Sequence, residues 1–459
     1  MKSKIKIYGF FVISYVFLLI SCNPKIDNPI GTGKLGTLFP EGQAITYVAI
    51  GNSLTAGYTD GALFEDAQQY SFPNLLAQQL KAENFVQPIF SNPGSGTRMF
   101  LHGFLSDGTP DIEQTLNPLL SAANYNYSRP FSNLGIPGAI AYDLIDTSNF
   151  MNRTIERQNP FYAAILRSSI LGKSVLEQAI SLNPNLITMW IGNNDVLGFA
   201  TSGGTISTTG MPDNPIPTPV LTIQQIIGSA LQTITQKLPN TKVFLFTIPN
   251  VLRTPFFNVI PWNGLVLTNQ NQVDALNAAY QKAGFKFKLG QNGFVAESPS
   301  SPGKLKQLTQ DDYVTLICPQ DSLKSGWGSI TPIPNQYVLD ASEAKMVTDA
   351  VNDYNQVIKQ FELFFPDKVF VIDMNAILNL MFTNGYSLPG SSSLTTQYIS
   401  GEMFGLDGIH PSSKGYGVIA NEIIKYINNK FNADIPLVNV QNLPAIRVTP
   451  TILPSRIKQ

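Results

Sequence analysis

The fold follows from residues 45–58, which read I-T-Y-V-A-I-G-N-S-L-T-A-G-Y. Residues 45–50 are apolar or β-branched and end at Gly51, a pattern typical of a short buried strand. A turn flanked by glycines follows and carries Ser53. Because open α/β sheets place their sites at the carboxyl ends of strands, this turn is a candidate for nucleophilic chemistry. The same residue types also form ordinary strand–helix connections, so the turn alone does not decide the function.

Strand-like and helix-like segments alternate along the rest of the chain. Runs rich in Val, Ile and Phe predict further strands at 186–191, 243–248 and 369–372. Apolar residues at helical spacing predict helices at 71–81, 172–182, 222–238 and about 341–364, and a last helix carrying Tyr416, Ala420, Ile423, Ile424, Ile427 and Phe431. Buried strands that alternate with helices predict a parallel sheet covered on both faces.

Segments outside this alternation predict the domain organisation. Three stretches are expected to be insertions over one edge of the sheet, near 91–128, 201–219 and 252–340. Residues 22–43 are rich in Pro, Gly and Asn, and they predict a flexible tether ahead of a domain at 44–436. Residues 437–459 predict an extended C-terminal tail that either lies over the domain or binds a partner.

The N-terminus has the layout of a secretory signal. Three lysines precede an apolar run from Ile7 to Ile20, shorter than the roughly 20 residues that span a bilayer. The run ends in L-I-S-C at 19–22, which resembles the lipobox of bacterial lipoproteins. The resemblance implies that residues 1–21 are a lipoprotein signal peptide and that Cys22 is lipidated. The exported protein would then be anchored to the cell envelope membrane, on its periplasmic or surface face.

Composition excludes several classes of protein. The 459 residues are 43% hydrophobic and 10% aromatic, which allows a sizeable core and excludes global disorder. The net charge is −1, and without the signal segment 27 basic and 31 acidic residues remain, a net charge of −4. With no basic stripe, nucleic-acid binding is not expected. If Cys22 is lipidated, Cys318 has no partner for an intrachain disulfide.

Two histidines are candidates for a general base. His410 follows Asp407 by three residues in D-G-I-H-P, so one short turn can present both side chains and the carboxylate can orient the ring. Ser412 or Ser413 is a candidate N-cap for the helix that follows. His102 lies inside the first predicted insertion with no second motif beside it, and we interpret it as a loop histidine.

Two further motifs could contribute hydrogen-bond donors. Residues 190–195, W-I-G-N-N-D, end a predicted apolar strand, so an Asn amide there could donate to a developing oxyanion. The same residues also suit a turn or a helix cap. Residues 133–139, N-L-G-I-P-G-A, contain glycines that permit close backbone approach and leave an N–H free.

Taken together, these motifs resemble the SGNH or GDSL-type serine esterase and lipase family. Four blocks occur in the family's order: G-N-S-L-T-A-G at 51–57, N-L-G-I-P-G at 133–138, I-G-N-N-D at 191–195 and D-G-I-H-P at 407–411. The resemblance implies the SGNH hydrolase fold, a flavodoxin-like three-layer α/β/α sandwich with a mostly parallel sheet and long insertions. It implies no cofactor.

The resemblance also assigns the site residues. Ser53 would be the nucleophile, His410 the general base and then acid, and Asp407 the carboxylate that orients it. The backbone N–H groups of Ser53 and Gly138 and the side chain of Asn194 would form the oxyanion hole. Residues 92–96, N-P-G-S-G, compete for the second block, but 133–138 is preferred because a helix-like segment follows it directly.

One residue departs from the family pattern. The family usually has Asp immediately before the nucleophilic serine, where this chain has Asn52. An Asn carbonyl can accept some of the same turn N–H groups, but the charge near Ser53 differs.

We therefore expect a lipid-anchored serine hydrolase that cleaves carboxylic ester bonds through an acyl-enzyme on Ser53. Small-molecule, lipid and glycan esters all remain open, as does the oligomeric state. No metal site is expected, because the two histidines and the remaining cysteine lack ligand spacing. The alternative is a non-catalytic or weakly active binding lipoprotein on the same fold. Six apolar residues suggest an acyl site but could equally be core: Trp262, Leu265, Val266, Leu267, Met381 and Phe382.

Overall fold

A five-stranded parallel sheet forms the centre of the protein. The computed structural model describes residues 31–117, 122–148, 159–205, 217–388 and 393–449. The sheet strands are β1 (Tyr47–Gly51), β2 (Asn133–Gly135), β3 (Leu186–Trp190), β4 (Lys242–Phe246) and β5 (Val369–Ile372). Their order is β5-β4-β3-β1-β2, and every pairing is parallel. This is the flavodoxin-like order, so the predicted fold class is confirmed.

The strands are buried on both faces, which explains why they read as continuous apolar runs. Tyr47 and Ala49 of β1 face one hydrophobic core, and Val48 and Ile50 face the other. Helices α1 (Phe72–Leu80) and α6 (Ser413–Phe431) cover the first face. Helices α2 (Val175–Ser181), α3 (Val220–Lys237) and α4 (Ala341–Phe364) cover the second. A further helix, α5 (Met374–Asn384), follows β5.

The connectivity places a crevice beside β1. The chain passes from β1 to β2 on one side and later returns to β3 on the other side of β1. At such a switch point the loops after neighbouring strands diverge, and ligands bind in the space between them. The predicted site motifs at Ser53 and Asn194 follow β1 and β3, so both lie at this edge.

The predicted insertions contain regular structure. In the first, strands Ser95–Phe104 and Pro110–Asn117 form a hairpin that pairs with Ala62–Leu63. The third contains three small antiparallel pairs: Leu265–Leu267 with Gly290–Asn292, Val295–Glu297 with Leu305–Gln307, and Tyr313–Val314 with Val338–Leu339. Within the described ranges, the other α-helices are short: Ser53–Ala56, Glu65–Gln68, Phe161–Leu166, Asn194–Thr201, Gln270–Ala279 and Gln320–Lys324.

Both ends of the described chain pack against the domain. Leu38 and Phe39 are buried in the core below α6, so at these two residues the chain packs against the domain and differs from the flexible tether predicted over 22–43. Their apolar side chains account for this difference. In the C-terminal segment 437–449, Val438 and Leu443 are buried, and Thr449 N donates to Leu101 O at 2.7 Å.

Several N-terminal predictions lie outside the described residues, namely the signal peptide at 1–21, the lipidation site Cys22 and the tether up to residue 30. Most of the predicted insertion at 201–219 and the end of the tail, 450–459, also lie outside them. Within the described ranges, no helix has both the length and the apolar character required to cross a bilayer.

Candidate active site

Ser53 begins a single helical turn directly after β1. Asn52 caps this turn, since its Oδ1 accepts a hydrogen bond from Leu54 N at 3.1 Å. Gly57 ends the turn in the left-handed conformation, with φ of 80°. Gly51 has no room for a side chain, because a Cβ there would overlap Thr55 Oγ1 and the Trp190 carbonyl. The glycine-flanked sequence therefore forms a tight turn that presents Ser53 at the carboxyl end of the sheet.

Ser53, His410 and Asp407 are hydrogen bonded in series. His410 Nε2 lies 2.9 Å from Ser53 Oγ, and His410 Nδ1 lies 3.0 Å from Asp407 Oδ2. A carboxylate can only accept, so Nδ1 carries the proton and Nε2 is the nitrogen that can accept from the serine hydroxyl. The separation of 357 residues between Ser53 and His410 is closed by the fold alone.

Asp407 is held in its ionised form by the loop around it. Its Oδ1 accepts from Ile409 N at 2.9 Å and from His410 N at 2.8 Å, and its Oδ2 also accepts from Gly61 N at 3.0 Å. Burial alone raises the pKa of Asp407. The His410 charge and these hydrogen bonds outweigh burial, so the net pKa lies below the usual range of a carboxyl group.

Asp60 is a second carboxylate beside this loop. Its Oδ1 accepts from Leu406 N at 2.7 Å, next to the point where Gly61 N donates to Asp407. The turn after Ser53 and the loop before His410 thus each donate a backbone N–H to a carboxylate of the other. Burial raises the pKa of Asp60 to about 6, and the nearby Asp407 charge adds to the increase. Sequence reasoning missed Asp60, because T-D-G is ordinary turn sequence.

The structure connects the predicted oxyanion donors Asn194 and Gly138 through the turn after β2. Asn194 Nδ2 donates to Ala139 O at 2.8 Å, so the amide is bound to the residue that follows Gly138. Gly138 is exposed and has φ of 78°, a conformation that L side chains rarely adopt. Asn194, Ser53 and His410 line one cavity. Gly138 is not among the residues that line this cavity.

Asn52, the residue that departs from the family pattern, is hydrogen bonded to a side chain that sequence reasoning missed. Asn52 Nδ2 donates to Asn193 Oδ1 at 3.0 Å while Asn52 Oδ1 accepts from Leu54 N. Both side chains are buried. An Asp at position 52 has no N–H to give to Asn193, so the two amides are matched to each other. The first Asn of I-G-N-N-D, Asn193, is the sequence signal for this pairing.

An apolar cavity of about 90 Å³ opens beside Ser53 and His410. Its walls come from β3, α5, the His410 loop and the start of α6, and they include the buried apolar side chains of Trp190, Met374, Met381, Met403 and Phe404. Among the described residues that line it, His410 is the one ionisable group.

Of the six apolar residues suggested from sequence as an acyl site, the structure places Met381 in this cavity. Leu265 and Leu267 pack into small cores of the third insertion, and Trp262 packs in the same region. Val266 is exposed. The Arg253 guanidinium lies over the Phe382 ring at 4.8 Å. Trp262, Leu265 and Leu267 thus follow the core alternative that the sequence left open. The exposed Val266 and the α5 residue Phe382 do not line the cavity.

His102 differs from the sequence interpretation. It lies on the strand Ser95–Phe104, not in a loop, with Nε2 2.9 Å from Glu113 Oε2 and Nδ1 2.6 Å from Thr449 O. It thus joins the hairpin to the C-terminal segment. Among the residues that the structure describes, no group of three or more His, Cys, Asp or Glu side chains is placed to hold a metal ion. Cys318 is buried.

Ser, His and Asp side chains that are hydrogen bonded in series are typical of serine hydrolases. Here they lie at the carboxyl edge of an α/β sheet, so the fold and the site together are those of a hydrolase-like α/β protein. The family model of the GDSL-like lipases and acylhydrolases matches residues 47–423. The chain therefore belongs to this family of ester hydrolases.

The solved structures to which the chain is similar are distant from it. One is a putative GDSL-like lipase from Parabacteroides merdae, 12% identical, covering 84% of this chain and 98% of the other with a TM-score of 0.31. Another is the lipase Lip_vut3 from a goat rumen metagenome, 13% identical, covering 83% and 97% with a TM-score of 0.32. A family 3 carbohydrate esterase from Clostridium thermocellum is 13% identical, covering 85% and 98% with a TM-score of 0.30. No curated protein matches the chain.

Proposed function

We propose that the protein is a serine ester hydrolase that works through an acyl-enzyme on Ser53. The observation that carries this proposal is the hydrogen-bonded series from Ser53 Oγ through His410 to Asp407, with links of 2.9 and 3.0 Å. A serine hydroxyl is a weak nucleophile until a positioned base can take its proton, and this arrangement supplies that base.

In the acylation step, Ser53 Oγ attacks the ester carbonyl while its proton passes to His410 Nε2. The ionised Asp407 stabilises the imidazolium that forms. The carbonyl oxygen becomes an oxyanion, which the Ser53 N–H, the Gly138 N–H and the Asn194 amide are proposed to bind. An amide has two N–H donors, and the bond to Ala139 uses one of the pair on Asn194.

Collapse of the tetrahedral intermediate breaks the ester C–O bond, and His410 gives its proton to the departing alkoxide. Water then attacks the acyl-enzyme with His410 as base, and Ser53 is regenerated together with the carboxylic acid. Every proton in this cycle moves through one histidine.

Substitution of the nucleophile tests the proposal. We expect Ser53→Ala to lower kcat on p-nitrophenyl butanoate by about 10⁴-fold or more, because the covalent route is lost. A fluorophosphonate probe should label the parent protein at Ser53. Ser300→Ala, which alters a serine in the third insertion, is the control and should remain active. Hydrolysis by Ser53→Ala at the parent rate would contradict the proposal.

The same probe separates the enzyme from the alternative, a binding lipoprotein with little turnover. If a correctly folded parent protein is neither labelled nor active on any ester tested, the binding function is favoured. The matched Asn52–Asn193 pair supports the enzyme, because the exchange at Asn52 leaves Ser53 capped and hydrogen bonded to His410.

Lipid anchoring at Cys22 is a separate proposal that rests on the L-I-S-C sequence. It predicts that cells expressing the full chain incorporate labelled palmitate into the protein and that Cys22→Ala abolishes this incorporation. Equal incorporation by the variant would contradict it. The proposed location is the cell envelope membrane, on the periplasmic or surface face.

A further inference from the structure

The cavity beside Ser53 is continuous with the proposed reaction centre. Ser53, His410 and Asn194 form one part of its wall. Residues from α5, including Ile377 and Met381, and from the His410 loop, including Met403, form another. A group bonded to Ser53 Oγ can therefore extend directly into an apolar space.

The chemistry of the wall selects against a polar occupant. The polar side chains at the cavity are chiefly those of the reaction centre itself, such as Ser53 and His410, or are already paired, as Asn52 is with Asn193. A sugar ring in this space would leave hydroxyl groups without hydrogen-bond partners, which is unfavourable. A hydrocarbon chain would instead exchange water for contact with methionine, isoleucine and phenylalanine side chains.

The covalent intermediate indicates which part of the ester enters the cavity. In the proposed reaction the acyl group stays attached to Ser53 until water arrives, whereas the alcohol must leave beforehand. The cavity wall includes Met381 and Phe404, whose exposed fractions are 6% and 5%. Such an enclosed space suits the acyl group, which stays on the enzyme. The departing alcohol requires a path to solvent.

We propose that this cavity is an acyl-chain site and that the preferred substrates are esters of short, unbranched alkanoic acids. The volume limits the length: a protein cavity of about 150 Å³ accommodates benzene, so 90 Å³ holds about four carbon atoms. This inference rests on the proposed function and adds the substrate class and its size limit.

A chain-length series tests the site in the intact protein. With p-nitrophenyl esters, kcat/KM should rise from acetate to butanoate by about 15-fold, because the two added CH₂ groups each contribute roughly 0.8 kcal/mol, or about fourfold. The increase should end near butanoate to hexanoate. A second series, in which ethyl to hexyl alcohols are esterified with butanoic acid, should change kcat/KM by less than threefold. Dependence on alcohol length instead of acyl length would overturn the assignment.

Variants of α5 test which side chains set the limit. Ile377→Phe should fill the cavity and lower the ratio of butanoate to acetate activity toward one. Met381→Ala should enlarge it and move the optimum to a longer acyl chain. Leu380→Phe is the matched control, because Leu380 lies on the same helix but is 62% exposed and does not line the cavity. Its chain-length profile should be that of the parent.

The outcomes separate this inference from the proposed function. If the parent hydrolyses acetate and butanoate equally, and Ser53→Ala abolishes both, the enzyme stands and the acyl site is wrong. If no ester is hydrolysed and Ser53 is not labelled, the proposed function is itself wrong. Should a cavity variant fail to fold, the chain-length series of the parent still decides the question.

Discussion

At the scale of single residues, Asp60 makes the clearest prediction about stability. The pKa of its buried carboxyl is about 6, compared with 3.8 for an unperturbed group. Between about pH 4 and 6 the folded chain therefore binds more protons here than the unfolded chain, and this group makes stability fall as pH rises. Above pH 6 the ionised Asp60 carboxylate is left inside the protein, near the charge of Asp407 and partly offset by Arg98.

Asp60→Asn should remove this penalty, since an Asn oxygen can still accept from Leu406 N. We expect the variant to be up to about 2 kcal/mol more stable than the parent at pH 8 and of nearly equal stability at pH 4. Urea denaturation at both pH values measures the difference. Glu65→Gln, at an exposed position nearby, is the control. A stability difference that does not depend on pH would contradict the prediction.

At the scale of single elements, the start of α6 links packing to the His410 loop. Ser412 caps the helix, since its Oγ accepts from Gly415 N at 3.1 Å and donates to Glu402 O at 2.6 Å. We expect Ser412→Ala to lower the free energy of unfolding by about 1 kcal/mol, as for other lost N-caps. Ser413→Ala, one residue further into the helix, should have a smaller effect. Equal effects in thermal denaturation would show that the cap is not important.

Some strands can be recognised from the sequence and others cannot, for physical reasons. The runs that became β1, β3, β4 and β5 are apolar throughout because helices cover both faces, so their pattern is visible without the structure. β2 has only three residues, Asn133–Gly135, and reads as a turn. The sequence predicts the region of the 95–117 hairpin only as an insertion and does not show its strands, because glycine and polar residues mask the alternation.

The residues of the candidate site also differ in how far the sequence predicts them. Ser53, Asp407 and His410 occur in short motifs, and the structure places their side chains within hydrogen-bond distance. Asp60 and Asn193 were missed, because their roles depend on contacts between segments far apart in the chain. Of the cavity beside Ser53 the sequence suggested only Met381, since the wall combines β3, α5 and α6 and no local pattern shows which of their faces meet.

At the scale of the whole molecule, the C-terminal segment completes the layer that holds α6. Asn421 on α6 binds the backbone of Val438 in both directions, at 2.7 and 3.0 Å. Leu443, further along the segment, is buried against the same helix, and Gly417 leaves space for it, because a Cβ there would overlap Leu443 Cδ1. The segment is thus part of the core on the α6 face of the sheet.

We therefore expect Leu443→Ala to destabilise the whole domain by about 2–4 kcal/mol, the usual range for a buried leucine truncated in a core. Leu363→Ala on α4 is the matched control, because Leu363 is 79% exposed. Because α6 begins three residues after His410, partial release of the segment should also reduce kcat, even at temperatures at which the protein is still folded. Denaturation and esterase assays on both variants measure these effects. If Leu443→Ala resembles Leu363→Ala in both assays, the segment is a surface tail and the α6 face is complete without it.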